Sequence, residues 1–205
     1  MSIPWRGRFQ DSPITWEQFL DIDEETRRGL EIVDGYVVPR EQRDARHQKV
    51  ASRLSNAIEE SAVEEMRSNG DTCIETNTET SVLLWEMPPT ARIPDVVVNR
   101  CLDDFDQLTA DRVLIVVEVV SPGSGRRDRI HKMADYADAG IPHYWIVEFD
   151  KVGAVSIERY ALEIRKRAYT HVETTHRDGH GLAVDITAPF RILIDWSQLT
   201  VAPRL

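Results

Sequence analysis

VLIVVEVVSPGSGRRDRIHK, from Val113 to Lys132, decides how this chain is read. Val113 to Val120 is apolar and largely β-branched, interrupted only by Glu118. A run of Val, Leu and Ile without polar alternation is the pattern of a central strand buried on both faces. An ionised carboxylate without a partner is strongly destabilising there, so Glu118 needs a compensator. RIPDVVVN repeats the oddity, with Asp95 set directly against Val96, Val97 and Val98. One hard divalent cation would serve both acids, because Mg²⁺ takes one or two carboxylates and completes its shell with water and phosphate oxygens.

Outward from this stretch, Ser121-Pro122-Gly123-Ser124-Gly125 ends the strand. The spacing of Ile130, Met133, Ala134 and Ala137 then predicts a helix over about Arg127 to Ala139, closed by Gly140 and Pro142. HYWIVEFD reads as another core strand, so strand, helix and strand form a βαβ-like unit with Glu118 near one end of a mixed sheet.

Upstream, Thr15-Trp16-Glu17-Gln18 is a capping box opening a short helix, and DIDEET after it reads as a solvated face or turn. LEIVD and YVVPR around Asp34-Gly35 make a hairpin. Val50, Leu54, Ile58 and Met66 mark one face of a long helix from about Asp44 to Ser68, stopped by Asn69-Gly70. CIET and SVLLWE are candidate strands, and Pro88-Pro89 breaks the chain before the Asp95 strand. Beyond Asp150, AVSIERYAL, EIRKRAYTHVETT, LAVDI and FRILIDW alternate like half-exposed antiparallel strands. The fold class is therefore α/β (α+β): a mixed sheet flanked by helices, with extra antiparallel strands at the C-terminus. No repeat or linker divides the chain, which reads as one domain over residues 1–205 with its core at about 31–149.

Lys and Arg total 25 against 35 Asp and Glu, a net charge of −10 that weighs against any partner bound through phosphate unless positive charge is gathered locally. Acids cluster in Glu17–Glu31 and Glu59–Glu65, so the net figure leaves room for such a patch. Cys73 and Cys101, 28 residues apart and without a CxxC partner, suit a reducing compartment and a structural role better than zinc or a disulfide. The N-terminal MSIPWRGRFQ has no apolar signal core, and no run of about 18 apolar residues is present to span a membrane. A soluble cytoplasmic protein is expected.

The order EIVDG, a helix histidine, PDVVV, VVEVVSPGS, D-x-x-x-K and Y-x-x-x-G-I-P-x-Y-W-I-V resembles the Uma family of restriction-endonuclease-like proteins, a branch of the PD-(D/E)XK nuclease superfamily. The resemblance covers about Glu31 to Phe149. It implies a restriction-endonuclease-like mixed sheet and phosphodiester hydrolysis with Mg²⁺ or Mn²⁺ held by Asp95, Glu118 and the main-chain carbonyl of Val119. The superfamily's usual lysine, two positions after Glu118, is Val120 here. The matching residue from the following helix is Lys132, which would orient the attacking water or neutralise developing charge. By the same resemblance Glu31 matches the family's N-terminal acid and could reach the metal through water. Ser121 and Asp128 match positions that could hold the loop and the Lys132 ammonium, and His47 with Gln48 could face the cleft. Arg126, Arg127 and Arg129 join Lys132 in a basic cluster placed to meet nucleic-acid phosphate.

Each assignment has a plainer alternative. Glu118 could pair with a buried arginine, Lys132 could form an ordinary i, i+4 surface pair with Asp128, and His47 could be a polar surface residue. Three functions follow: a Mg²⁺-dependent endonuclease acting on DNA, a nuclease-like scaffold serving as an interaction or regulatory module, and a metal-dependent hydrolase of a small phosphorylated molecule. Cutting both strands of a duplex calls for two sites, hence an expected homodimer.

Overall fold

The computed structural model describes residues 12–201 except 42, 71, 104–105, 121–125 and 179–182, with only the backbone for 126–129. In chain order, helix α1 (Trp16–Leu20) starts at the Thr15 capping box, and α2 (Glu24–Arg27), capped by Asp23 and without a buried residue, occupies the acidic stretch expected as a solvated face or turn. Strands β1 (Leu30–Val33) and β2 (Tyr36–Pro39) form the hairpin, with Asp34 and Gly35 both at positive φ, as this two-residue connection requires. Helix α3 (Ala45–Ser68) follows, its first turn capped by the Asp44 carboxylate. Strands β3 (Ile74–Thr78), β4 (Val82–Glu86), β5 (Pro89–Arg92), β6 (Val96–Arg100) and β7 (Val113–Val120) lead to helix α4 (Arg126–Asp138). Strands β8 (His143–Phe149), β9 (Ala154–Glu163), β10 (Ala168–His176), β11 (Ala183–Ile186) and β12 (Ile192–Asp195) complete the order.

A mixed sheet, ordered β10-β9-β8-β7-β6-β3, is the frame. Its parallel pair, β7 with β8, is joined by α4, as a parallel connection needs a crossover. The valines of β6 divide between its faces: Val96 and Val98 pack toward α3 with Ile115, Val117 and Val119, while Val97 packs on the α4 side with Val116 and Val120. Burial of each such valine contributes about 1.5–3 kcal/mol. Alternation along β7 puts Glu118 on the same face as Val116 and Val120, toward α4.

A smaller sheet, β2-β1-β5-β4, stands beside it. Here the proline reading is corrected: Met87 and Pro88 form a turn, and Pro89 is the first residue of β5, a position that spares a proline its missing N–H. Pairing of β5 with β1 brings Arg92 near Glu31. The C-terminal strands also behave differently from one another. β9 and β10 extend the main sheet, whereas β11 and β12 form a separate hairpin with Val184, Ile186, Ile192 and Ile194 buried in the α3-side core.

Two further expectations are overturned. Cys73 and Cys101 are disulfide-bonded, with Cα atoms 5.4 Å apart. The antiparallel register that pairs Ile74 with Arg100 carries on by one step to face these two residues, so strand pairing does what spacing along the chain could not reveal. Cysteine usage thus no longer points to a reducing compartment. On α4, Ile130 is 60% exposed, while Lys132 is 4% exposed and Tyr136 fully buried. The helix is rolled to bring a lysine and a tyrosine inward, for a reason that lies in the site.

Candidate functional site

The register that sets Val96 against Val117 places Asp95, one residue earlier, across from Glu118. Both are buried, at 0% and 3% exposure, where β6 begins and β7 approaches its end. Asp95 Oδ2 accepts the Val119 N–H at 2.8 Å and lies 3.1 Å from His47 Nε2. That imidazole nitrogen is also 2.7 Å from the Val119 carbonyl oxygen. A carbonyl can only accept, so Nε2 carries the proton and shares it between the two oxygens. Asp95 Oδ1 is buried without a hydrogen-bond donor, and faces Arg43 Nε at 3.3 Å and Arg40 Nη2 at 3.5 Å.

Glu118 is answered from α4. Lys132 Nζ lies 3.1 Å from each carboxylate oxygen, and the Tyr136 hydroxyl donates to Oε1 at 2.9 Å. Lys132 and Tyr136 are i, i+4, one above the other on a helix face, so satisfying Glu118 turns that face inward and leaves Ile130 outside. Arg43 Nη2 stands 3.7 Å from Glu118 Oε2, so one guanidinium faces both acids. Lys132 Nζ is also 3.6 Å from Glu31 Oε1. Glu31 in turn accepts from Arg92 Nη1 at 2.9 Å and from the Ile93 N–H at 3.0 Å. Arg92 closes the loop on α4 by donating to Asp135 through Nε at 2.9 Å and Nη2 at 2.6 Å.

Burial raises the Glu118 carboxyl to about 7, and the charges of Asp95 and Glu31 add to the rise against the pull of Lys132 and Arg43. Burial also opposes ionisation of Asp95, but the His47 hydrogen bond, Arg43 and the Val119 N–H outweigh it and hold the group below its ordinary value. Glu31 likewise falls below its ordinary value, burial being overcome by Lys132, Arg92 and the Ile93 N–H. Burial, with Glu118 next to the hydroxyl, keeps Tyr136 neutral well above the ordinary tyrosine range. Two adjacent carboxyls of unlike proton affinity thus result, a separation set by environment.

A cleft of about 290 Å³ lined by Glu31, Arg40, Arg43, Arg92, His131 and Lys132 opens onto this network. A larger hollow of about 660 Å³ lies elsewhere, lined by Cys73, Arg100, Arg112 and Phe190 among others, with none of the buried acids in its wall. The smaller space has Glu31 in its wall, and Asp95 and Glu118 lie behind Arg43 and Lys132, which also line it.

Asp95 Oδ1, buried and lacking a donor, together with Glu118 Oε2 across the same guanidinium, is a donor set of hard oxygens that fits a divalent cation. Among the described residues no group of three His, Cys, Asp or Glu side chains could hold an ion. Such a pair suits an ion that keeps much of its water, as Mg²⁺ does. The Val119 carbonyl, expected as a further ligand, here accepts from His47.

Of the residues singled out in the sequence, Glu31, His47, Asp95, Glu118, Val119 and Lys132 meet at one place. Gln48 does not, since it is exposed on the helix beside a buried His47. Ser121 lies outside the described residues, as do the side chains of Arg126, Arg127, Asp128 and Arg129 in the first turn of α4. Sequence reasoning missed Arg40, Arg43, Arg92 and Tyr136. Two of these carried a signal: Arg92 stands three residues before Asp95, and Tyr136 is the tyrosine of Y-x-x-x-G-I-P, spaced i, i+4 from Lys132.

The family model Uma2, described as "Putative restriction endonuclease", matches residues 16–195. Among solved structures, the chain is similar to "a putative nuclease belonging to DUF820" from Anabaena variabilis, at 14% identity and a TM-score of 0.58, over 86% of this chain and 90% of that one. That likeness is one of fold. No curated protein matches the chain.

Proposed function

The chain belongs to the Uma2 family, and from that premise we propose that it is a nuclease that hydrolyses phosphodiester bonds in DNA with the help of a divalent cation, Mg²⁺ or Mn²⁺. The observation that carries this reading is the meeting of two buried carboxylates, Asp95 and Glu118, with a buried lysine that lines a cleft. Paired acids and a lysine are the inventory of metal-assisted phosphoryl chemistry.

Asp95 and Glu118 would hold the cation, which supplies polarisation of the phosphoryl group and acidification of water when bound. Lys132 has a separate part. Its amino group lines the cleft and is held between Glu118 and Glu31, aimed where negative charge builds on the phosphoryl oxygens. In this reading it replaces the lysine absent at Val120. Tyr136 and the Glu31–Arg92–Asp135 chain fix the position of that ammonium and act through it. His47 locks the Asp95 carboxylate and the end of β7 together, which orients the metal-binding oxygens. The domain acts as one unit and cuts both strands as a homodimer with two copies of the site.

Incubation of the purified protein with plasmid, single-stranded DNA and RNA in Mg²⁺ or Mn²⁺ tests the proposal. Nicking or cutting of DNA that is absent in EDTA and in Asp95→Ala is the expected result. Cleavage surviving Asp95→Ala would place the activity elsewhere.

A further inference from the structure

With a net charge of −10, the chain meets a polyanion only where cations are gathered and acids excluded. Helix α3 has such a place. Between Asp44 and Glu59 the sequence contains no acidic residue, yet it contains Arg46, Lys49 and Arg53, all exposed. At about 100° per residue these three positions fall within an arc of about 60°. They flank the face that buries Val50, Leu54 and Ile58. None of the three forms an ion pair with a described side chain, whereas Arg28, Lys166 and Arg191 on other surfaces are paired with Glu24, Glu163 and Asp185. Asp44, the acid that precedes them in the chain, is engaged in capping the helix through the N–H groups of Arg46 and His47.

Farther along the same strip of helix the sign reverses. Glu60 and Glu64 continue the line of Arg53 toward the C-terminus. The basic half is the half beside the site: His47, one residue after Arg46, reaches the Val119 carbonyl and Asp95, and Arg43 precedes it at Asp95 and Glu118. From Arg46 to Arg53 the strip spans about 10 Å, the rise of about three successive nucleotides of one duplex strand.

We infer that Arg46, Lys49 and Arg53 form a phosphate-backbone track that leads a polynucleotide from the surface of α3 into the cleft lined by Arg43 and Lys132, with duplex DNA as its ligand. This rests on the nuclease reading and deepens it by assigning the substrate a backbone contact of several phosphates outside the reacting one. A small phosphorylated molecule would have no use for such a track. The contacts carry no base information, so the track sets register and affinity rather than sequence preference. The acidic half of α3 limits its length and directs the strand toward the cleft.

The test is fluorescence anisotropy of the full chain with a labelled 20-base-pair DNA duplex, its single strand and an RNA duplex, in EDTA, across salt concentrations. The variant is Arg46→Gln/Lys49→Gln/Arg53→Gln, with Arg28→Gln/Lys166→Gln as a paired-cation control. Each phosphate contact contributes about 0.9 to the slope of log affinity against log salt on duplex DNA. The triple variant is expected to bind duplex DNA with a slope shallower by about 2 to 3, while the control keeps the wild-type slope and both melt as wild type does. A wild-type slope in the triple variant, an equal loss in the control, tighter binding of RNA or single strand than of duplex, or no binding by wild type would overturn the track. Hydrolysis of bis(p-nitrophenyl) phosphate in Mn²⁺ is read in parallel. Hydrolysis with an unchanged slope leaves the phosphodiesterase reading standing and removes the track. A changed slope without hydrolysis keeps the track and removes the phosphodiesterase reading.

Discussion

The Asp95–Glu118 network and the hollow beside Cys73–Cys101 make an instructive contrast. The hollow is the larger space, about 660 Å³ against about 290 Å³, and its wall is tied by a disulfide from the residue before β3 to the residue after β6. The network has less room but gathers Glu31, Arg92, Asp95, Glu118 and Lys132, all buried. A buried charge survives only when paired and hydrogen-bonded, and removing one partner strands the other. Covalent staple and ionic network therefore stabilise the same sheet on different terms. The staple acts chiefly on the unfolded chain and is indifferent to chemistry, whereas the network couples stability to protons, metal and catalysis.

The largest effect expected from breaking this contrast is on turnover. Lys132→Met should reduce DNA cleavage by about 10²-fold or more, the range for a lost proton-transfer or transition-state group. Calorimetry with Mn²⁺ should still show metal binding, because Asp95 and Glu118 remain. Lys132→Arg should restore little, since a planar fork cannot reproduce an ammonium held between two carboxylates. Wild-type cleavage by Lys132→Met would reduce Lys132 to a counter-ion of Glu118.

Stability separates the regions next. Arg92→Met leaves Glu31 and Asp135 without their shared guanidinium and should cost about 3–5 kcal/mol in urea unfolding. Cys73→Ser/Cys101→Ser opens a loop closed across a sequence separation of 28 and should cost about 2–4 kcal/mol by the same measurement. The sharper distinction is that the serine pair should leave metal affinity and cleavage unchanged. A serine pair that lost metal binding would show the two regions to be one cooperative site.

The smallest effect is in the pH dependence of the metal-free protein. Burial raises Glu118 from an ordinary 4.5 to about 7, so between these values the folded state binds more protons than the unfolded one. Unfolding free energy from this group falls as pH rises through that window and is level above it. Glu118→Gln should remove the fall, so that urea melts in EDTA show the variant gaining on wild type from pH 5 to pH 8. Asp95 and Glu31 act in the opposite sense, their stabilisation being present above their unfolded values and lost as pH falls through the lowered folded ones. A variant whose offset from wild type is constant with pH would assign no titration to Glu118.

Local information carried the hairpin, the long helix and the two odd acids. Asp34-Gly35 specifies a turn by its own φ values, Asp44 caps α3 from next door, and Val113–Val120 declares a two-faced strand by composition. Glu118 was conspicuous because its neighbours are apolar. β5 was hidden because a strand opening on Pro89 and containing Thr90 and Arg92 lacks the apolar signature, being buried for reasons supplied by β1, β4 and α4.

The amino-acid sequence alone placed the β1–β2 hairpin, the α3 and α4 helices and the central strands, and showed that Asp95 and Glu118 require a compensator. Periodicity, caps and turns act over a few residues, and apolar runs report burial wherever they sit. Only the tertiary structure decided what the compensators are. Arg43, His47, Lys132 and Tyr136 arrive from α3, the segment before it and α4, and Arg92 joins Glu31 across 61 residues of chain. Tertiary packing also chose the roll of α4, since its hydrophobic spacing favoured Ile130 facing inward while the cost of leaving Glu118 unpaired favoured Lys132 and Tyr136. The buried charge prevailed, because an exposed isoleucine forfeits about 1.5–3 kcal/mol and an unpaired interior carboxylate costs more.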